Sequence, residues 1–148
     1  SPTPTTHLHL TVWHESDPAL STSAIASFVN LKSLSIDVIP VEDSFFATIA
    51  QSLQSLETLT LGREFKLNGQ HLLEALKLPH FSALRSIVLN LGKIDERDNF
   101  ITVEDYVNHR HGPTFYIWPA DCSPSTLKVL VALAKTRGVT VTGHFVDA

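Results

Sequence analysis

Residues 56–61 read LETLTL, with leucines at 56, 59 and 61 and the polar residues Glu57, Thr58 and Thr60 between them. In a β-strand successive side chains point to opposite faces, so Leu59 and Leu61 share one face and Thr58 and Thr60 the other. The pattern is not isolated. LKSLSI occupies 31–36 and LRSIVL occupies 84–89, which makes three consecutive copies of L-x-x-L-x-L. Weaker apolar pairs extend the series outward: Leu8 with Leu10, Phe115 with Ile117, and Val139 with Val141. The six pairs begin 26, 25, 28, 28 and 24 residues apart. The outer copies lack the leading leucine and carry Thr5, Gly112 and Thr136 there. Self-similarity at such a period is the mark of a stacked repeat, in which no unit buries its apolar face alone.

These copies resemble leucine-rich repeats, and the resemblance runs along nearly the whole chain. The family's next position, an Asn or Cys, holds Trp13, Ile39, Glu64, Gly92, Ala120 and His144 here, so its polar ladder is missing. The following apolar position is kept at Val41, Ile94, Cys122 and Val146. The loose pattern is similar to the divergent repeats that follow F-box domains in eukaryotic adaptor proteins. That resemblance implies a substrate-recognition module of an F-box-type ubiquitin ligase adaptor. It also implies that the ligase scaffold docks on an F-box segment with no counterpart here, upstream in a longer chain.

The segments between the pairs read as helices. Phe45, Ile49 and Leu53 stand at fourfold spacing behind a cap at Asp43 or Ser44. Leu72, Leu73 and Leu76 follow the Asn68-Gly69 turn. Thr102 stands three residues before Asp105 as an acidic relative of the capping box, ahead of Val103, Tyr106 and Val107. Ser123 caps and Pro124 opens a last helix whose Leu127, Leu130, Val131 and Ala134 face inward and which Gly138 ends. A first helix is expected from Ser21 or Ser23, with Ile25 and Phe28. Alternating strand and helix demands parallel strands joined by crossovers.

A doubly wound nucleotide-binding fold alternates in the same way, but it buries both faces of its strands. Here one face stays polar: His7, His9 and Thr11; Ser33, Ser35 and Asp37; Thr58, Thr60 and Gly62; Ser86, Val88 and Asn90; Thr114, Tyr116 and Trp118; Gly138, Thr140 and Thr142. Phosphate loops of the G-x-G-x-x-G or G-x-x-x-x-G-K type are absent from the sequence. The expected fold is therefore one α/β domain over residues 1–148. It is a leucine-rich-repeat-like solenoid of about six parallel strands on the concave face, with helices on the convex face.

Composition narrows the function. The chain has 148 residues, 43% hydrophobic and 18% charged, with a net charge of −4. No Lys/Arg run or basic helix face marks a nucleic-acid or membrane-surface partner. No apolar run is long enough to span a bilayer, and no signal peptide is visible. The single cysteine, Cys122, excludes an internal disulfide. It falls on an apolar repeat position, so it is expected in the core. An intracellular setting, cytoplasmic or nuclear, is the simplest expectation. The chain contains no Met, which suits a piece of a longer protein.

On the polar face, Tyr116 and Trp118 stand out, flanked by Asn90. Aromatic residues with polar tips dominate interface hot spots; the bland reading packs them under the C-terminal segment or the loop at 108–111. Asp37 and His9 are expected on neighbouring rungs, and Thr60 lies at the centre of the face. Serine and threonine elsewhere on it suit an exposed strand. His7 and His9 share a face but lack the third and fourth ligands that zinc needs, and His109 and His111 lie several rungs away. No metal or cofactor is expected. No G-x-S-x-G elbow and no facing carboxylate pair points to catalysis, and the run 93–99 reads as a solvated loop. The expectation is a non-enzymatic module that binds a protein or peptide. The alternatives are a self-associating structural repeat and, third, a small-ligand binder or enzyme.

Overall fold

The computed structural model describes residues 6–10, 26–36, 45–62, 68–77, 81–91, 100–108 and 123–146. Each L-x-x-L-x-L copy becomes a strand. Strands β1 (His7–Leu10), β2 (Ser33–Ile36), β3 (Thr58–Leu61) and β4 (Ser86–Leu91) follow in order; β5 is Phe100–Thr102 and β6 is Thr140–Val146. One sheet holds all six in the order β1-β2-β3-β4-β6-β5. The first five in that order are parallel, and β5 lies antiparallel on β6. The parallel register is strict: Leu8, Leu34, Leu59, Ile87 and Val141 form one row across the sheet.

The same hydrogen-bond device enters each rung. The Thr6 carbonyl accepts from the N–H groups of Lys32 at 2.7 Å and Ser33 at 3.0 Å. The Lys32 carbonyl accepts likewise from Glu57 and Thr58, and the Glu57 carbonyl from Arg85 and Ser86. Beyond this, the Arg85 carbonyl accepts from Thr140 at 2.9 Å. Each residue before a strand thus fixes the start of the next one, which holds the leucine rows in line.

Among the described residues four helices lie between strands: α1 (Phe45–Ser52), α2 (Gly69–Lys77), α3 (Val103–Val107) and α4 (Pro124–Thr136). The expected periodicities hold. Phe45, Ile49 and Leu53 are buried, as are Leu72, Leu73 and Leu76, Val103 and Tyr106, and Leu127, Leu130 and Ala134. The caps form where the residue types place them. Thr102 Oγ1 accepts from the Asp105 N–H and Ser123 Oγ from the Thr126 N–H, both at 3.1 Å. Asn68 is a cap as well as a turn residue, its Oδ1 accepting from the N–H groups of Gln70 and His71. After α4, Gly138 takes φ +74°; its N–H bonds the Lys135 carbonyl and the Val139 N–H bonds that of Ala134. That pair of bonds is the Schellman stop. The caps expected at Asp43 or Ser44 lie outside the described residues, as do residues 21–25 of the helix expected from Ser21 or Ser23 with Ile25 and Phe28; Phe28 itself is described and stands outside any helix.

Packing explains why helices and sheet form one body. Helix α1 touches α2, α2 touches α4, and α4 touches α3, while α3 and α4 rest on β6. The leading leucines Leu31, Leu56 and Leu84 join Leu34, Leu59, Ile87 and the helix faces in a single core. Burying each such side chain contributes about 1.5–3 kcal/mol.

Two expectations need correction. The sixth rung pairs directly with the fourth, so a rung at Phe115 and Ile117 does not stand between them; residues 109–122 lie outside the described residues. The sixth strand itself pairs Val141, not Val139, with Ile87. A two-residue slip leaves every side chain on its expected face because the strand period is two. Among the described residues the sheet is therefore five parallel strands and one antiparallel edge strand, instead of about six parallel ones. Strand β5 was not expected, because three residues, Phe100–Thr102, carry too little pattern to read.

Gly143 permits this arrangement. It lies opposite Leu89 with φ +126°, a conformation that residues with a side chain rarely adopt. A Cβ there would collide with the Leu89 carbonyl oxygen, whereas at Gly138 nothing lies within 4 Å. We predict that Gly143→Ala lowers unfolding free energy by about 3 kcal/mol or more, and Gly138→Ala by about 1–2 kcal/mol. Urea titration followed by circular dichroism measures both; equal effects would contradict the close approach of β6 to β4.

Candidate functional site

The polar face of the sheet is built by the same alternation that builds the core. In β2 and β3, Leu34, Ile36, Leu59 and Leu61 are buried, while Ser33, Ser35, Thr58 and Thr60 are half-buried. In β4, Ile87 and Leu89 are buried while Ser86, Val88 and Asn90 are half-buried. In β6, Thr140 and Thr142 are exposed. Register arranges these residues in rows. One row is His7, Ser33, Thr58, Ser86 and Thr140, and the next is His9, Ser35, Thr60, Val88 and Thr142. None of the ten belongs to the hydrophobic core, Val88 included. The buried residues of the helices join the leucines of the other face in one core.

A third, shorter row crosses the other end of the sheet. Asn90 lies opposite His144, and His144 opposite Thr102. Neighbouring strands are about 4.8 Å apart, so the amide and imidazole stand side by side. Thr102 is already engaged as the cap of α3. The sequence places Asn90 beside Tyr116 and Trp118; the structure puts His144 next to it instead, because β6 follows β4. The signal for His144 was weak, since it depends on the slip that sets Val141 against Ile87.

Of the residues singled out from the sequence, Thr60 and His9 fall in one row and Asn90 at the far end of the same face. Asp37, Tyr116 and Trp118 lie outside the described residues. Chemically the face offers hydroxyl, amide and imidazole groups. Its described members include no Lys, Arg, Asp or Glu. Charged residues instead line the entry to the strands, where Lys32, Glu57 and Arg85 alternate in sign on successive rungs.

The metal question has a plain structural side. His7 and His9 share the face, and His7 Nδ1 is hydrogen-bonded to the Thr6 hydroxyl at 2.9 Å. Among the described residues, no group of three or more His, Cys, Asp or Glu side chains is placed to hold a metal ion. Nor is any described helix long and apolar enough to cross a membrane.

Two of the helices are also tied to each other at their ends. The Arg137 guanidinium donates to the Lys77 carbonyl at 3.0 Å, joining the ends of α4 and α2. A cation at a helix C-terminus satisfies a carbonyl that the helix leaves unpaired.

The contrast in burial between the two faces makes a direct prediction. Leu59→Ala should cost about 2–5 kcal/mol, since it empties a fully buried site. Its neighbour Thr60→Arg, at a half-buried position outside the core, should change stability by less than about 1 kcal/mol, because a long side chain that reaches solvent keeps its charge in water. Chemical denaturation of the two variants tests this. A Thr60→Arg protein as damaged as Leu59→Ala would mean that the polar face is covered.

No family model matches the chain, and neither curated proteins nor solved structures gave a match.

Proposed function

We propose that the chain is a protein- or peptide-binding module, a leucine-rich-repeat-like solenoid that uses its polar sheet face for recognition. The supporting observation is the contrast across one sheet: leucines at 0% exposure on the helix side, and uncovered hydroxyl, amide and imidazole groups on the other. A rigid sheet presents such groups at fixed spacing, so a partner meets donors and acceptors whose ordering entropy is already spent. Thr60 and His9 stand in one row of that surface and Asn90 at its end, with Asp37, Tyr116 and Trp118 proposed to extend it. The sequence resemblance favours a role as the substrate-recognition part of an F-box-type ubiquitin ligase adaptor within a longer, intracellular protein. On this reading the module is not itself an enzyme and needs no cofactor.

The test compares proteins captured from native extract by the wild-type chain, by Thr60→Arg with Asn90→Arg, and by Tyr116→Ala with Trp118→Ala. Quantitative mass spectrometry should show specific partners lost from both variants by about tenfold or more, with folding retained by circular dichroism. An identical set of captured proteins in all three samples would refute recognition by this face.

A further inference from the structure

At the entry to the strands Lys32, Glu57 and Arg85 alternate in sign, but past β4 the alternation ends. The next rung is entered by Val139, and the chain reaches it from α4 through Lys135 and Arg137. Two hydrogen bonds gather cations at this corner. The Arg85 carbonyl accepts from the Thr140 N–H at 2.9 Å, which sets Arg85 beside the start of β6, just after Arg137. The Arg137 guanidinium donates to the Lys77 carbonyl at 3.0 Å, which sets it on the last residue of α2. Lys77, Arg85, Lys135 and Arg137 are all exposed. They form no run in the sequence, because they come from two helix ends and a strand start.

Carboxylates do not balance this corner. Helix α4 contains no Asp or Glu. Glu74 reaches Lys77 at 3.6 Å, but both side chains are more than half exposed, so the pair contributes little. Among the described residues, no carboxylate pairs with Arg85 or Lys135. The carbonyls at the ends of α2 and α4 favour nearby cations, which accounts for Arg137 and Lys135. Arg85 enters a strand and gains nothing from that effect. On a chain of net charge −4, the corner is a local reversal of sign.

We infer that this corner docks an acidic segment of a protein partner, a short run of Asp or Glu, at a site separate from the polar sheet face. Complementary charge selects the occupant. Arginine offers carboxylates a fork of donors, and lysine adds a compact point charge. The small extent of the corner selects the length. A nucleic acid or an anionic membrane would run past it, over Glu74 and Glu57 and against the net negative charge of the chain. A short acidic segment meets the cations without crossing either carboxylate.

Fluorescence anisotropy of a dye-labelled tetraglutamate peptide in low-salt buffer tests the docking. Binding should saturate and should fall as salt is added. Lys135→Glu and Arg85→Glu should each weaken it by about tenfold or more, with circular dichroism unchanged. Arg137 stays in place because it ties α4 to α2. Lys32→Glu makes the same change of charge two strands away and should alter binding by less than about twofold. Absence of binding by tetraglutamate overturns the inference, as does equal weakening by Lys32→Glu. Tighter binding of single-stranded DNA or of anionic lipid vesicles than of the peptide also overturns it. Those outcomes leave recognition by the polar face standing, since Thr60 and Asn90 take no part in the corner.

Discussion

The structure depends on one constraint: a row of aliphatic side chains must stay in line from strand to strand. Leu8, Leu34, Leu59, Ile87 and Val141 meet it, each opposite the next. A slip of a single residue in any strand would turn its leucines to water and its threonines to the core. The carbonyl of the residue before each strand prevents this by accepting two N–H groups from the next rung, at Thr6, Lys32 and Glu57 alike. Hydrophobic burial supplies most of the free energy, and the shared carbonyl supplies the alignment. Neither is sufficient alone.

The open face follows from the same constraint. Helices α1, α2, α4 and α3 touch in succession, and the strand residues that share their core alternate with neighbours outside it. The surface is thus the by-product of a period of two. Its chemistry is set by which small residues occupy the off-beat positions. Val88 is the exception among Ser, Thr, Asn and His, and it remains outside the core.

The repeat breaks once, and the break decides the C-terminal half. Ile87 and its partner Val141 are 54 residues apart, about twice the spacing of the earlier rungs. Strand β5 and helices α3 and α4 lie within this length, and the chain returns to the sheet directly beside β4. Gly143 accommodates the return, because only a residue without a Cβ fits against the Leu89 backbone in its conformation. Strand β5 then finishes that edge by reversing direction. At the other edge Phe28 and Leu8 are less covered than Leu53, Phe81 and Leu34, their counterparts in the following rungs.

The sequence by itself determined the local code. Three copies of L-x-x-L-x-L specified strand, face and the buried leading leucine at Leu31, Leu56 and Leu84, because side-chain alternation and burial are decided within a few residues. Thr102, Ser123 and Gly138 specified helix ends for the same reason, each acting on backbone groups three or four residues away. Only the tertiary structure decided which strand neighbours which. Spacing alone ranked Phe115 and Ile117 as a rung and set Asn90 beside Tyr116 and Trp118, since nothing in a linear period says when a chain will skip a place. Pairing of β6 with β4, and hence of His144 with Asn90, is a long-range choice between backbones. It rests on the fit of Gly143 against Leu89 and on helix packing, and neither leaves a periodic trace in the sequence.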